Sequence, residues 1–361
     1  MPSPPPHRTS PERMRRGDSG SGSALNRVPE DEELVSENVD WELEEELLLE
    51  EQGFYIGSYK RLVALYTLAP LTALAAFALL AILPYVAYRR QKPHPPTYPY
   101  PPILPFPLPE ILASVALYSL THLLRSPIYA LSAVLVPFPL PATLLSTTLY
   151  TLLSTFARLF TLALLLVQKH AVYANPTWQD SAFRRVWWAA LGWAAAETVV
   201  SVHQGYAGLA LYREVLVHPF TPQAPTDLER TPLLPPRPAA PDPDSELDQD
   251  LDQLVALKAR EELEDIFGLP LIRIPAFIPC LQRVNSLLLS IGLFLLLGAS
   301  QYGPGMHWGL LVLAAVTHLL LAVLHAPIVL PRLGVQGAAY VGAVVSLGAF
   351  FTGLGVWDGV S

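Results

Sequence analysis

The chain has 361 residues, 52% of them hydrophobic and only 15% charged, with a formal net charge of −8. A soluble domain usually carries about 25% charged residues, and here the deficit lies in long apolar runs separated by polar islands, which excludes an ordinary globular domain and defines a membrane class. No basic stripe with interleaved aromatics is present, so nucleic acid is excluded as a partner, and the lipid bilayer is the partner the composition demands.

Residues 1–39 are rich in Pro, Ser, Arg and Gly, lack an apolar period, and are expected to be a disordered tail. No apolar h-region opens the chain, so a cleaved signal peptide is not expected. Residues 40–60 change character. From Asp40 to Gln52, Trp41, Leu43, Leu47, Leu48 and Leu49 alternate with glutamates at helical spacing. That pattern predicts an amphipathic juxtamembrane helix, lying beside the membrane or solvated and packed on a loop. Its acidic face disfavours anionic lipid.

Residues 61–215 hold four expected spans. The first follows Lys60-Arg61, runs from Leu62 to Tyr88 and is closed by Arg89-Arg90. It is longer than a ~30 Å hydrocarbon core needs, so tilt or a kink at Pro70 or Pro84 is expected. Residues 93–109 are too proline-rich to be helical, and read as a polyproline-like spacer or a segment for a Pro-binding partner. The second span is expected as one kinked helix, Pro109–Val136, with Arg125 at membrane depth near Ser126-Pro127. The alternative is a short helix followed by a re-entrant segment. The third, Pro141–Val167, contains Arg158 and a run of hydroxyls that can bond across helices or back to their own carbonyls. The fourth, Phe183–Tyr212, opens with Arg184-Arg185 and a Trp band and carries Glu197, Ser201, His203 and Gln204. Arginine and tryptophan at one end mark a helix leaving water for lipid.

Residues 216–244 are a Pro-rich loop expected to be disordered, and 245–268 an acidic amphipathic helix with Ser245 as N-cap and Gly268 as stop. Residues 269–361 carry spans five (Ala276–Ala299), six (Trp308–Leu330) and seven (Gly334–Val356). The expected fold is therefore an all-α polytopic membrane bundle of about seven helices, with a disordered N-terminus and a long acidic loop between spans four and five.

An ionisable group at the centre of a span costs roughly 2.5–3.5 kcal/mol if unpaired. Arg125, Arg158, Glu197, His203, His318 and His325 therefore need partners, and the simplest economy pairs Glu197 with Arg158 or Arg125. Glu197, Ser201 and Gln204 share one helical face, with His203 off it. An intramembrane polar network of Arg125, Arg158, Glu197 and Gln204 either lines a pathway for protons, ions or a small solute, or locks helix register. His318 and His325 are seven apart, whereas helical zinc pairs use an offset of four, so packed or hydrogen-bonded histidines are expected. Cys280 is the only cysteine, which excludes an intrachain disulfide and a Cys-based metal cluster. The chain has no nucleophile elbow, phosphate-cradling loop, HExxH or intramembrane Asp pair, so no enzymatic activity, cofactor or metal is predicted. In span seven, Gly334, Ala338, Gly342 and Ser346 form a ladder of small residues suited to close helix packing, within the chain or between copies.

The segment Glu229-Arg230-Thr231-Pro232-Leu233-Leu234 resembles the acidic dileucine signal that adaptor complexes read when sorting proteins to vacuoles or lysosomes. Glu44 with Leu48-Leu49 matches it too, but falls in an expected helix. Lysine and arginine counts flanking the spans are nearly balanced, so the positive-inside rule does not orient the chain. The missing signal peptide and the dileucine segment favour a cytosolic N-terminus. Taken together, EEQGFYIGSYKRL, FRRVWW…AAAE…QGY and LHAPIVLPRLG resemble a group of fungal multi-span membrane proteins, some of them vacuolar. The resemblance covers nearly all of the membrane part and implies an endomembrane location, with no activity or functional residue attached. A multi-pass endomembrane protein follows, acting either as a transporter or channel-like protein around Glu197, or as an organiser whose acidic helix recruits a soluble partner.

Overall fold

The computed structural model describes residues 54–87, 107–171, 173–217, 243–302 and 305–359. The N-terminal tail, the body of the expected 40–60 helix, most of the Pro-rich spacer and the Glu229–Leu234 segment lie outside the described residues. Of the 40–60 helix only residues 54–60 are described, and there Tyr55–Ile56 (β1) are extended, paired in parallel with Leu216–Val217 (β2). Everything else of regular form among the described residues is helical, and the fold is an all-α polytopic membrane protein.

The first span is two helices, α1 (Tyr59–Tyr66) and α2 (Leu68–Ala87). Pro70 has no N–H to offer the Tyr66 carbonyl, and the chain turns one residue later, at Thr67, whose hydroxyl donates to the Ala64 carbonyl at 2.6 Å. The helix continues through Pro84. The second span is α3 (Leu108–Leu123) and α4 (Arg125–Leu135), joined through Leu124 at φ −76°, ψ −8°. Pro127 removes the donor for the Leu123 carbonyl, which is the physical cause of the kink. α5 (Pro139–Leu164) begins with prolines in its first turn, where no N–H is needed. Thr143, Thr147, Thr151, Thr155 and Thr161 donate to the carbonyl four residues back at 2.7–2.9 Å. α6 (Ser181–Ala210) is capped by Asp180, whose side chain accepts from the Ala182 N–H.

α7 (Pro243–Phe267) is the acidic helix, and Gly268, at φ +72°, ends it. It docks through Glu264 Oε1, which accepts from the Tyr212 hydroxyl at 2.9 Å and the Tyr55 hydroxyl at 3.2 Å. α8 (Phe277–Ser300), α9 (Trp308–Leu324), the single turn α10 (Leu330–Leu333) and α11 (Val335–Val356) complete the bundle.

Among the described residues, five segments are long and apolar enough to cross a bilayer: Tyr59–Val86, Leu108–Leu135, Pro139–Lys169, Phe277–Ser300 and Val335–Val356. Two of the seven expected spans do not meet that standard. α6 has the length, 30 residues, but Arg184, Arg185, Glu197 and His203 dilute its apolarity. α9 has the apolarity but only 17 residues.

α8 is the element against which α11, α6, α2, α9 and α5 all pack, so the centre expected at the fourth span is shared by α6 and α8. The contact between α8 and α11 is made by small residues. A Cβ on Gly292 would sit 2.6 Å from the Ala349 carbonyl carbon, and one on Gly353 would sit 2.9 Å from Leu295 Cβ. The expected ladder contributes Ala338, Gly342 and Ser346, all buried on this intrachain seam. Asn285 stitches the seam by donating to the Ala339 carbonyl at 2.9 Å. Gly334 does not belong to it: at φ +78° it is the turn before α11, with nothing within 4 Å of a Cβ.

Candidate functional site

Along α6 the burial changes abruptly. From Ala182 to Ala194 the described side chains of its inner face are buried, and from Ala195 to Ala207 none is, before Gly208 and Leu209 are buried again. The closed half is filled by Trp187, Trp193, Phe294 and Trp357, all at 1% exposure or less. Indole N–H groups fix this plug, Trp187 donating to the Leu80 carbonyl at 3.1 Å and Trp357 to the Leu295 carbonyl at 2.9 Å. Beyond the plug, the Tyr302 hydroxyl donates to the Asp180 carboxylate at 2.5 Å, and Gln168 to the Gln301 carbonyl at 2.7 Å. Burial, reinforced by the Asp180 carboxylate, raises the Tyr302 phenol above its ordinary value.

The open half holds a cavity of about 740 Å³. Its walls come from four segments of the bundle. Tyr118, His122, Arg125 and Tyr129 come from α3–α4; Thr143, Ser146, Thr147, Tyr150, Ser154 and Arg158 from α5. Trp193, Glu197, Ser201 and Gln204 come from α6, and His318 and His325 from α9 and its end. Arg125, Arg158, Glu197 and Gln204 thus line one space, together with both α9 histidines; His203 is not among its walls.

The floor is an ion pair. Arg158 is 3% exposed and places Nη2 3.9 Å from Glu197 Oε2. Its Nη1 donates to Ser154 Oγ at 3.1 Å and meets His318 Nδ1 at 3.2 Å. The guanidinium lies over the Trp193 ring, 4.6 Å from its centroid, a cation–π contact that strengthens where water is excluded. The same Nη1 also lies 3.4 Å from His318 Nε2, so the guanidinium nitrogen stands against the imidazole as a whole. The Thr155 hydroxyl stands 3.1 Å from His318 Nδ1. Glu197 Oε2 also accepts from Ser290 Oγ at 3.0 Å, tying the floor to α8.

Arg125 does not reach Glu197. It lies 5.9 Å from the Tyr150 ring centroid, and no carboxylate among the described residues is within ion-pair distance of it. Ser201 spends its hydroxyl proton on the Glu197 carbonyl at 2.5 Å, so it offers lone pairs rather than a donor to the cavity. Three contributors to the floor escape sequence reasoning: His318 as the neighbour of Arg158, Ser290 as a ligand of Glu197, and Trp193 as the plate beneath the guanidinium. Ser154 alone had a local signal, standing one turn from Arg158.

A second, more apolar cavity of about 460 Å³ lies beside the first, and Ser201 and Gln204 line both. Its remaining walls include Leu62, Tyr66, Leu209, Leu263, Phe267 and Arg283. The Tyr66 hydroxyl rests where a side chain at Gly205 would have to go, so any larger residue there would displace Tyr66. No protein-family model, curated protein or solved structure matches the chain.

Proposed function

We propose that the chain is a seven-span transporter or channel-like protein that admits a small polar solute to a vestibule floored by Arg158, Glu197 and His318. The observation that carries this reading is that the Arg158–Glu197 pair bounds a cavity of about 740 Å³ instead of being sealed in a dry contact. A pair serving only to fix helix register gains nothing from such a space, because water in it weakens the attraction. Ionisable groups at membrane depth that face an internal cavity mark solute and ion routes. Reconstituted vesicles test the reading. The full chain should make liposomes permeable to at least one of erythritol, sodium succinate or choline chloride in a stopped-flow osmotic assay. Glu197→Gln should slow that flux about tenfold, equivalent to ~1.4 kcal/mol of barrier. Unchanged permeability to every probe refutes it.

A second reading keeps support from one feature. On α7, Leu251, Leu254 and Val255 share a face and are 60%, 63% and 61% exposed, as a helix that recruits a soluble partner would present them. Leu251→Ser with Leu254→Ser should leave vesicle flux intact under the first reading and abolish partner recruitment under the second. The Glu229–Leu234 segment supports sorting by an adaptor complex to a vacuolar or other endomembrane, with a cytosolic N-terminus. Leu233→Ala with Leu234→Ala should redirect a fluorescent fusion to the cell surface, and an unmoved fusion removes that support.

A further inference from the structure

The vestibule's charge inventory specifies more than polarity. Two guanidinium groups, Arg125 and Arg158, face it against one carboxylate, Glu197. The other titratable walls are the imidazoles of His122, His318 and His325 and the phenols of Tyr118, Tyr129 and Tyr150, none of which carries negative charge near neutral pH. The one carboxylate is already engaged by Arg158 and Ser290. A cation entering this space would meet a positive excess, and its single possible counter-charge is occupied.

The arginines, by contrast, retain donors. Arg158 Nε is buried and has no hydrogen-bond partner. Its Nη2 faces Glu197 across a 3.9 Å ion pair that is too long for a hydrogen bond, so the pair leaves its N–H able to donate to a further oxygen. Both nitrogens belong to a planar fork whose spacing matches two oxygens of one oxyanion. Arg125 brings a second guanidinium with no carboxylate in range. Thr143 and Thr147 do not compete, since each donates to its own helix at 2.8 Å. We infer that the vestibule binds an oxyanion, a carboxylate or phosphate group, through Arg158 with Arg125. This inference rests on the vestibule reading above and narrows it to a substrate class.

One labelling experiment separates the two. Thr147, on the cavity wall, is replaced by cysteine in a full-length Cys280→Ser chain held in phosphatidylcholine nanodiscs. The rates of modification by methanethiosulfonate reagents bearing a sulfonate, a trimethylammonium or no charge are each divided by the rate for a free thiol. The expected result is a sulfonate-to-trimethylammonium ratio raised about tenfold over free thiol by the local field. That ratio should fall toward one in Arg125→Gln, with the neutral reagent's rate unchanged. Arg125 is chosen because it is exposed and its loss leaves the floor intact. Protection of Thr147→Cys by sodium succinate or inorganic phosphate supports a soluble anion. Protection that appears only when phosphatidylserine replaces part of the phosphatidylcholine supports an anionic lipid headgroup. A ratio of one or below, a ratio indifferent to Arg125→Gln, or no protection by any anion overturns the inference while leaving an accessible vestibule. If no reagent labels the folded chain yet all label it in detergent-unfolded form, the vestibule reading falls as well.

Discussion

Replacing Glu197 and Arg158, singly and together, measures whether the floor of the vestibule is wet. At the observed 3.9 Å, Coulomb's law gives about 1 kcal/mol in bulk water and about 4 kcal/mol at an effective dielectric constant of ~20. Glu197 keeps 29% of its side-chain surface exposed, while Arg158 keeps 3%, so the pair sits between these limits, nearer the wet one. The expected coupling in a Glu197→Gln, Arg158→Gln double-mutant cycle is therefore about 1–2 kcal/mol. Glu197→Gln alone should destabilise by about 1–2 kcal/mol, because glutamine still accepts from Ser290. Arg158→Gln should cost more, since it also strips Ser154, His318 and the Trp193 ring of their partner. The assay is reversible unfolding in mixed micelles, followed by tryptophan fluorescence. A coupling of ~4 kcal/mol or more would show a dry lock and refute the vestibule. A coupling indistinguishable from zero would show that the two charges do not pair at all.

Gly292→Ala should destabilise by about 1–3 kcal/mol, because the new Cβ lands 2.6 Å from backbone of Ala349 that cannot swing away. Gly355→Ala, with nothing within 4 Å, should be neutral or stabilising by up to about 1 kcal/mol, and thermal melting of the two variants compares them directly. Asp180→Ala should cost about 1 kcal/mol from the lost helix cap, and more through the lost bond from the Tyr302 hydroxyl, which keeps only the Tyr173 carbonyl as acceptor, read by the same melts. The raised Tyr302 pKa fixes a pH window. Below the ordinary value of 10.0 both folded and unfolded chains hold the proton, and the contribution is complete. Above it the unfolded chain ionises first, and the contribution drains away as pH climbs toward the raised folded value. Melting temperature should therefore fall more steeply above pH ~10 in the native chain than in Tyr302→Phe.

Much of the helical layout is legible because apolar runs bounded by arginine and lysine carry it locally. The break at Leu124 follows from Ser126-Pro127, and the stop at Gly268 from a glycine after the last periodic residue. What is not legible depends on contacts distant in sequence. The β1–β2 pair is two residues long, too short for any alternation to register. Gly292 sits alone in an apolar run, and nothing around it reveals that it faces Ala349, whereas the regular spacing of Ala338, Gly342 and Ser346 does advertise a seam. At the floor, the need of Glu197 for a counter-charge is a sequence-level argument. The arrival of His318 beside Arg158, across 160 positions, is a property of how α5 meets α9.

The two halves of the bundle constrain how the vestibule can work. A channel needs a continuous wet route, yet between Trp193 and Tyr302 the interior is occupied by indole and phenyl rings, and the N–H groups of Trp187 and Trp357 among them are bonded to backbone carbonyls. Opening that plug in place would break those bonds and expose buried rings, a far larger disturbance than a side-chain rotation. Under the transport function proposed above, passage would therefore be more economical by relative movement of helix groups, with the plug preserved on one side of a floor that changes exposure. The breaks that permit such movement are already present. Thr67 divides α1 from α2, and Leu124 divides α3 from α4, so the wall carrying Arg125 is jointed to the wall carrying Tyr118. Gln204, shared by both cavities, and Tyr66, seated against Gly205, stand where the two spaces would join. The Arg158–Glu197–Ser290 chain links α5, α6 and α8 at the level where open half meets closed half. A bound anion that draws Arg158 away from Glu197 would loosen that link, and this is the coupling between occupancy and movement that a transporter requires.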